Sequence, residues 1–438
     1  MSDAGSPPRL VFANIASPVM LPVLPAAYAR RLNGVSPRVV WTAREGDLLV
    51  TGRPVPPDLM EYACGVLGMD PGAIETLSPR DGLELPLAEA LRREGLAEGC
   101  ARAARARPGI RFSPFALDRP TVAFGRELGV PFEGYSPGAP DDGVVELVHA
   151  LNTKSGFRRR AAALGIPLAP GQACEGAGQV AAAARRLWAE WDAVLVKADR
   201  ASNGFGHAVI HRRDGAAAAR AAVDEALAPL AGQPQRFVVE AFLEVAWMPS
   251  VEVEVDDAGP RILYVSDQRC PGHSFSGLLT PPVDTPAGAL ERLEAYGLAF
   301  GAWAHGAGYR GVFDVDACVT PGCALYATES NVRQTGGTYL HRLAERILGD
   351  GYWERREVWW HDAITGAEPG LGIAGAVQAL EGEGAAFDPA TRRGVLPLVD
   401  TADIDGKWRY ILFAGSVAEA AEFEAAARRA LAAAPAAA

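Results

Sequence analysis

The chain contains no C-x-x-C pair. Its six cysteines, Cys64, Cys100, Cys174, Cys270, Cys318 and Cys323, are scattered. That spacing gives no support to a zinc site or a disulfide framework and reads as reduced thiols packed as small apolar groups in a cytoplasmic protein. No apolar run reaches the ~20 residues that cross a bilayer, and the apolar stretch 18–28 is broken by Pro18, Pro22 and Pro25. The first residues lack the basic-then-apolar order of a secretory signal. Basic excess is missing as well. Lys and Arg number 42 against 53 Asp and Glu, a net charge of −11, which excludes a broad electrostatic grip on nucleic-acid backbone but not a local basic pocket for a phosphorylated ligand. Residues 1–150 carry no G-x-G-x-x-G, so the dinucleotide fingerprint is absent there. No repeat at solenoid periods is present.

What is there is the composition of an ordinary globular protein: 438 residues, 49% hydrophobic and 22% charged. At ~150 residues per domain this suggests two to four structural units. Strands are expected at 10–15, 38–42, 47–50 and 111–117, alternating with helices at 57–67, 87–107 and 121–128, a pattern that predicts a parallel α/β layer over 1–150. Helices follow at 154–164, stopped by Gly165-Ile166-Pro167, and at 179–191. Strands are expected at 193–198, 207–211, 237–240, 251–255, 262–266, 312–319 and 325–331, then a helix at 338–348. Beyond about 350 come a helix at 371–381, strands at 394–398 and 408–413, and a last helix from Val417 ending in a frayed Ala-rich tail.

Three features carry chemistry. Lys197 ends a strand and is followed by Ala201-Ser202-Asn203-Gly204-Phe205-Gly206. Small residues let backbone N–H groups approach a phosphate, and the lysine adds a point charge, although glycine before a hairpin is more often only a turn. Glu329 and Asn331 are two apart on one strand and so share a face, with Asp316 on the neighbouring strand of a short hairpin. Two carboxylates and an amide are hard oxygen ligands suited to Mg²⁺; Asp314 is a second candidate, and a solvated polar face is the plain alternative. The apolar Val312, Phe313, Val315, Leu325 and Tyr326 point to buried strands, where carboxylates need a partner or a cation. Arg333 precedes Gln334-Thr335-Gly336-Gly337-Thr338 and a helix. Thr338 is expected to cap that helix, whose free N–H groups favour anions, and Arg333 to grip a carboxylate or phosphoryl group; an ordinary capped helix is the alternative.

In this order the segments resemble the ATP-grasp carboxylate–amine ligases. LNTKSGFRRRAAALGIPLAPG from Leu151 is similar to the entry of the ATP-clasping part, VLVKADRASNGFGHAV from Val194 to the second lysine and phosphate loop, and FVVEAFLEVAWMPSVEVEV from Phe237 to the adenine hinge. GYRGVFDVDACVTPGCALYATESNVRQTGGTY from Gly308 is similar to the metal segment. A narrower likeness, over 38–71, 266–282 and 380–431, is to the pheganomycin-type peptide ligases. The resemblance implies an α/β (α+β) ATP-grasp fold: an N-terminal α/β pre-ATP-grasp domain (1–150), an ATP-grasp domain (151–350, split at 240 into ATP-clasping and metal-and-substrate parts) and a small α+β C-terminal peptide-ligase-type domain (351–438).

It also implies roles. Lys154, Lys197, Ser202, Asn203, Gly204 and Gly206 would meet the ATP phosphates, and Glu240, Ala241, Phe242 and Leu243 the adenine. Asp316, Glu329 and Asn331 would hold Mg²⁺ (or Mn²⁺). Arg333 and Lys197 would be catalytic, and Arg333, Gly336, Gly337, Thr338 and His273 would face substrate. His273 and Asp267 are candidates for the base. Trp247 stands where many relatives carry a ribose-binding Glu, with Glu244 nearer the hinge, and Ser330 replaces a common aliphatic residue, pointing away from the metal face. The implied partners are ATP, a small carboxylic acid or amino acid, and an amine from an amino acid or peptide, in natural-product synthesis. Neither nucleic acid nor membrane is expected, and a homodimer is left open. A phosphotransferase or carboxylase, and a nucleotide-binding protein without turnover, are the competing readings.

Overall fold

The computed structural model describes residues 6–21, 24–201, 206–215, 217–218, 221, 236–271, 275–367 and 369–432. Strands β1 (Arg9–Phe12), β2 (Leu48–Val50), β3 (Glu75–Leu77) and β4 (Arg111–Pro114) form a sheet in the order β3-β2-β1-β4, every pair parallel. The helix Arg119–Leu128 starts where Asp118 accepts the Thr121 N–H (2.8 Å) and stops at Gly129, the usual chemistry of a capped helix.

Two local expectations are corrected here. Residues 38–42 are not a strand. Ser36–Thr42 is a 3₁₀ helix with Pro37 in its first turn, and it buries Val39, Val40 and Trp41; a short buried apolar run reads alike in either conformation. The single helix expected over 87–107 is two, Leu87–Arg93 and Ala97–Arg105, with Gly95 between them at φ +69°, an angle that glycine adopts without strain.

A second sheet has the order β5-β8-β6-β7, with β5 (Gly171–Glu175), β6 (Ala193–Ala198), β7 (His207–His211) and β8 (Arg236–Ala241) antiparallel. Val194, Val196, Phe237 and Val239 pack under Val180 and Ala184 of the Gly176–Leu187 helix.

The third sheet comprises β9 (Pro249–Asp256), β10 (Gly259–Arg269), β11 (Gly277–Thr280), β12 (Gly311–Val319), β13 (Leu325–Asn331), β14 (Val358–Thr365), β15 (Gly394–Thr401) and β16 (Lys407–Ala414). Its order is β13-β12-β9-β10-β11-β14-β16-β15, antiparallel throughout. The strands beyond 350 therefore extend the sheet begun by β9–β13 rather than forming one of their own. Strand periodicity divides its faces. Val251, Val253 and Val255 of β9, with Phe313 and Val315 of β12, pack against Leu293 and Phe300 of the long helix Ala287–Gly306. Glu252, Glu254, Asp314 and Asp316 are left on the other face. The first sheet's layer is tied to the far end of this sheet by the Trp41 indole, which donates to the Leu398 carbonyl at 2.9 Å.

Candidate functional site

The polar face of β12 and β13 carries the site. In the ladder Asp316 lies opposite Glu329 and Asp314 opposite Asn331; on the β9 side their neighbours are Ser250 and Glu252. Asn331 is held from several directions. Its side-chain amide donates to Asp314 (2.8 Å) and Asp316 (3.3 Å), its backbone N–H donates to Asp314 (3.0 Å), and its Oδ1 accepts from the Arg333 guanidinium at 2.7 Å. Asp314 thus orients the amide. Burial, then the nearby Asp316 and Glu252, pushes its carboxyl far above the ordinary value.

Lys154 opens the helix Lys154–Ala163, where Thr153 accepts the Gly156 N–H at 3.0 Å. Its buried Nζ lies 3.2 Å from Glu329 and donates to the Ala201 carbonyl at 2.9 Å. Lys197 lies on β6, with Nζ 2.6 Å from Glu240 of β8. The second Glu240 oxygen is taken by Arg158, whose guanidinium also donates to the Ala169 and Gly171 carbonyls. Lys154, Glu329, Asn331 and Arg333 border one small space of about 10 Å³ together with Ala201 and with Val19 and Met20 from the N-terminal region. Beyond Arg333 a cleft of about 790 Å³ opens between the β1–β4 sheet and the helix Thr338–Leu348, with Phe115, Tyr339 and Arg342 on its walls.

The electrostatics separate the two facing acids. Burial and then Glu329 raise the Asp316 carboxyl to about 7. Burial also opposes ionisation of Glu329, but Lys154, His207 and Lys197 outweigh it and hold that carboxyl down at about 2. Among the described residues no group of three or more His, Cys, Asp or Glu side chains is arranged to hold a metal. The donors that fit a hard cation are the facing carboxylates of Asp316 and Glu329, where a divalent ion would offset both burial and mutual repulsion; the Asn331 oxygen, the atom of its amide that could join them, is taken by Arg333 here.

The other expected residues are placed as follows. Gly206 closes the β6–β7 hairpin, its carbonyl accepting the Ala198 N–H at 2.8 Å. Ser202, Asn203, Gly204 and His273 lie outside the described residues. After Glu240, the Ala241 and Phe242 N–H groups donate to the Pro170 and Ala193 carbonyls, and Leu243 is buried. Trp247 pairs with Val319 and Glu244 is exposed. Ser330 donates to the Leu151 carbonyl at 3.1 Å.

Thr338 is not the cap. Gly337 holds that position without a side-chain bond, and Thr338 is the first helical residue. Its hydroxyl accepts the Thr335 N–H at 2.8 Å and donates to buried Glu252, which also accepts from Tyr264 at 2.7 Å. Gly337 is fixed by close approach: a Cβ there would lie 1.8 Å from the Tyr264 hydroxyl, whereas one on Gly336 would meet Phe275 at an ordinary 3.5 Å. Asp267 has both carboxylate oxygens engaged. Its two oxygens hold the Val283 N–H (2.9 Å) and the Thr285 hydroxyl (2.5 Å) ahead of the helix Ala287–Gly306. Two participants escaped the sequence reading: Arg158, and Gln268, whose amide donates to Asp316 at 2.5 Å. Position Gln268 shares a strand face with Tyr264 and Ser266, a weak signal without the fold.

Residues 36–130 match the family described as the pre-ATP-grasp domain, and residues 375–427 match the PGM1 C-terminal domain. No curated protein matches the chain in sequence. Among solved structures it is similar to biotin carboxylase from Campylobacter jejuni in a β,γ-ATP complex, at TM-score 0.61 and 15% identity over 96% of this chain and 90% of that one. It is also similar to N5-carboxyaminoimidazole ribonucleotide synthetase from Thermus thermophilus (TM-score 0.56, 16% identity, covering 92% and 98%). The carboxyaminoimidazole ribonucleotide synthase of Aspergillus clavatus, complexed with ATP, gives 0.55 and 13% over 89% and 99%. At such identities the likeness is one of fold.

Proposed function

We propose, on the premise that the chain has the ATP-grasp fold, that it is an ADP-forming carboxylate–amine ligase, joining an acyl donor to the amine of an amino acid or peptide in natural-product synthesis. The observation that carries this is the convergence of Lys154, Glu329, Asn331 and Arg333 on one small space, with Asp316 facing Glu329. The cleft beyond Arg333 supports an amine-bearing second substrate. Its volume of about 790 Å³ lies in the range of pockets that enclose whole small molecules. The two family matches at 36–130 and 375–427 overlap the regions whose sequence resembles the pheganomycin-type ligases.

A donor carboxylate oxygen attacks the γ-phosphorus of ATP, and the bond to ADP breaks with its electron pair leaving on ADP. The amine nitrogen then attacks the acyl carbon, phosphate departs and the amine loses its proton. Lys154 and Lys197 balance the phosphate charge that moves in the first step, and Arg333 orients the donor or steadies the acyl phosphate. Mg²⁺ or Mn²⁺ held by Asp316, Glu329 and Asn331 would supply charge neutralisation at the phosphates.

The test is ADP release across a panel of acids, amino acids and short peptides, with products weighed by mass spectrometry. Glu329→Gln is expected to lose ~10²-fold or more in turnover while its circular dichroism is unchanged; near-normal turnover would reject the metal assignment. The carboxylases among the structural neighbours favour carboxylation as a second reading. Bicarbonate-dependent ADP release yielding a carboxylated product would establish it instead.

A further inference from the structure

We propose that Gln268 is a positioning residue for Asp316 and that the segment beyond 350 sets its place through Arg269; this rests on the reading of Asp316 as a metal ligand. The Gln268 amide donates to Asp316 Oδ1 at 2.5 Å, and its Oε1 accepts from the Cys270 thiol at 3.7 Å. Burial, then Asp316 and Glu329, pushes that thiol up to about 12, so it remains a donor. With Nε2 donating to Asp316 and Oε1 accepting from the thiol, both ends of the amide are engaged.

The next residue is anchored on the opposite side of the strand. Arg269 lies 3.1 Å from Asp362 of β14, donates to Glu424 of the helix Val417–Leu431 at 3.0 Å, and stacks over Trp360 at 5.1 Å. Arg428 also holds Asp362 (3.0 Å), and Tyr410 of β16 donates to Glu424 (2.9 Å). Every partner of this clamp comes from beyond residue 350. Since Gln268 and Arg269 are consecutive, the end of β10 cannot shift without disturbing both the clamp and the carboxylate. Forked, charge-assisted bonds make the clamp stiff. Partners that orient a metal ligand commonly account for 10–100-fold in metal affinity.

The experiment titrates Mn²⁺ into the full chain and reads free Mn²⁺ by electron paramagnetic resonance, with ADP affinity measured separately in EDTA. Gln268→Ala is expected to weaken Mn²⁺ binding by about 10-fold while ADP affinity and melting temperature hold. Glu424→Gln is expected to weaken it less, and the double variant no further than Gln268→Ala alone. Arg269→Lys should recover part of what Arg269→Ala loses. Wild-type Mn²⁺ affinity in Gln268→Ala, with Glu329→Gln abolishing binding, would overturn the proposal and leave the ligase reading standing. Additive losses in the double variant would overturn the Arg269 link. A wild-type chain that binds no Mn²⁺ would overturn both the proposal and the metal reading.

Discussion

Asp316 faces Glu329 across the β12–β13 ladder, yet Lys154 pairs with Glu329. Two acids in one place are therefore pushed in opposite directions: the Glu329 carboxyl is held down at about 2 and that of Asp316 is raised to about 7.

That asymmetry sets a pH dependence. The folded chain binds the Asp316 proton up to about 7, and the unfolded chain releases it near ~4, so stability falls as pH rises through that window. Glu329 acts in the opposite sense at lower pH: its contribution is present above the ordinary glutamate range and is lost as pH falls towards about 2. Melting temperatures of the metal-free protein from pH 5 to 8 are expected to decline less in Asp316→Asn than in wild type. Mn²⁺ is expected to restore more at pH 8 than at pH 5. Equal slopes in the two proteins would contradict the Asp316 assignment.

Glu240 is buried and pairs with two cations, the buried Lys197 and the partly buried Arg158. Removing one member of such a group leaves uncompensated charge. Glu240→Ala is expected to lose about 3 kcal/mol in urea unfolding, and to raise KM for ATP because Lys197 is released from its partner. Glu240→Gln should lose less. A Glu240→Ala protein as stable as wild type would mean that the group is solvated and contributes little.

Gly337 leaves no room for a methyl group, with the Tyr264 hydroxyl 1.8 Å and Leu278 2.8 Å from the added carbon. Gly337→Ala is expected to destabilise the fold by about 1–3 kcal/mol, the range for overpacking. Adding Tyr264→Phe should recover part of that loss by removing the clashing oxygen, although it surrenders the bond to Glu252. No recovery in the double variant would place the strain elsewhere.

Much of this was legible because strand periodicity and glycine or proline punctuation are local properties. The helices Pro57–Leu67 and Thr338–Leu348 and the strands β6, β7 and β13 lie where the pattern puts them. The longest helix, Ala287–Gly306, was missed: apolar Leu290, Leu293, Leu298, Phe300 and Trp303 fall on several of its sides, so no single stripe marks it. β14 was missed because Trp359 and Trp360 are both buried, one against Tyr264 and the other under Arg269, which erases the alternation. Between Asp267 and Gln268 the sequence favoured the charged residue. Only the pairing of β10 with its neighbours shows that the amide faces the acids, while Asp267 secures a turn. Thr338 misled for a similar reason, since hydroxyl spacing cannot reveal that a buried Glu252 waits on another strand.

Lys154, Lys197 and Lys407 are the only lysines in the chain; every other basic side chain except histidine is arginine. Two of the three are the pair that the proposed reaction needs, at 4% and 5% exposure and both tied to carboxylates. To an amine-selective chemical label the protein is therefore nearly blank. A nucleotide carrying a reactive acyl group would find its targets against almost no background, and one tryptic mass map would say which of the two it had reached.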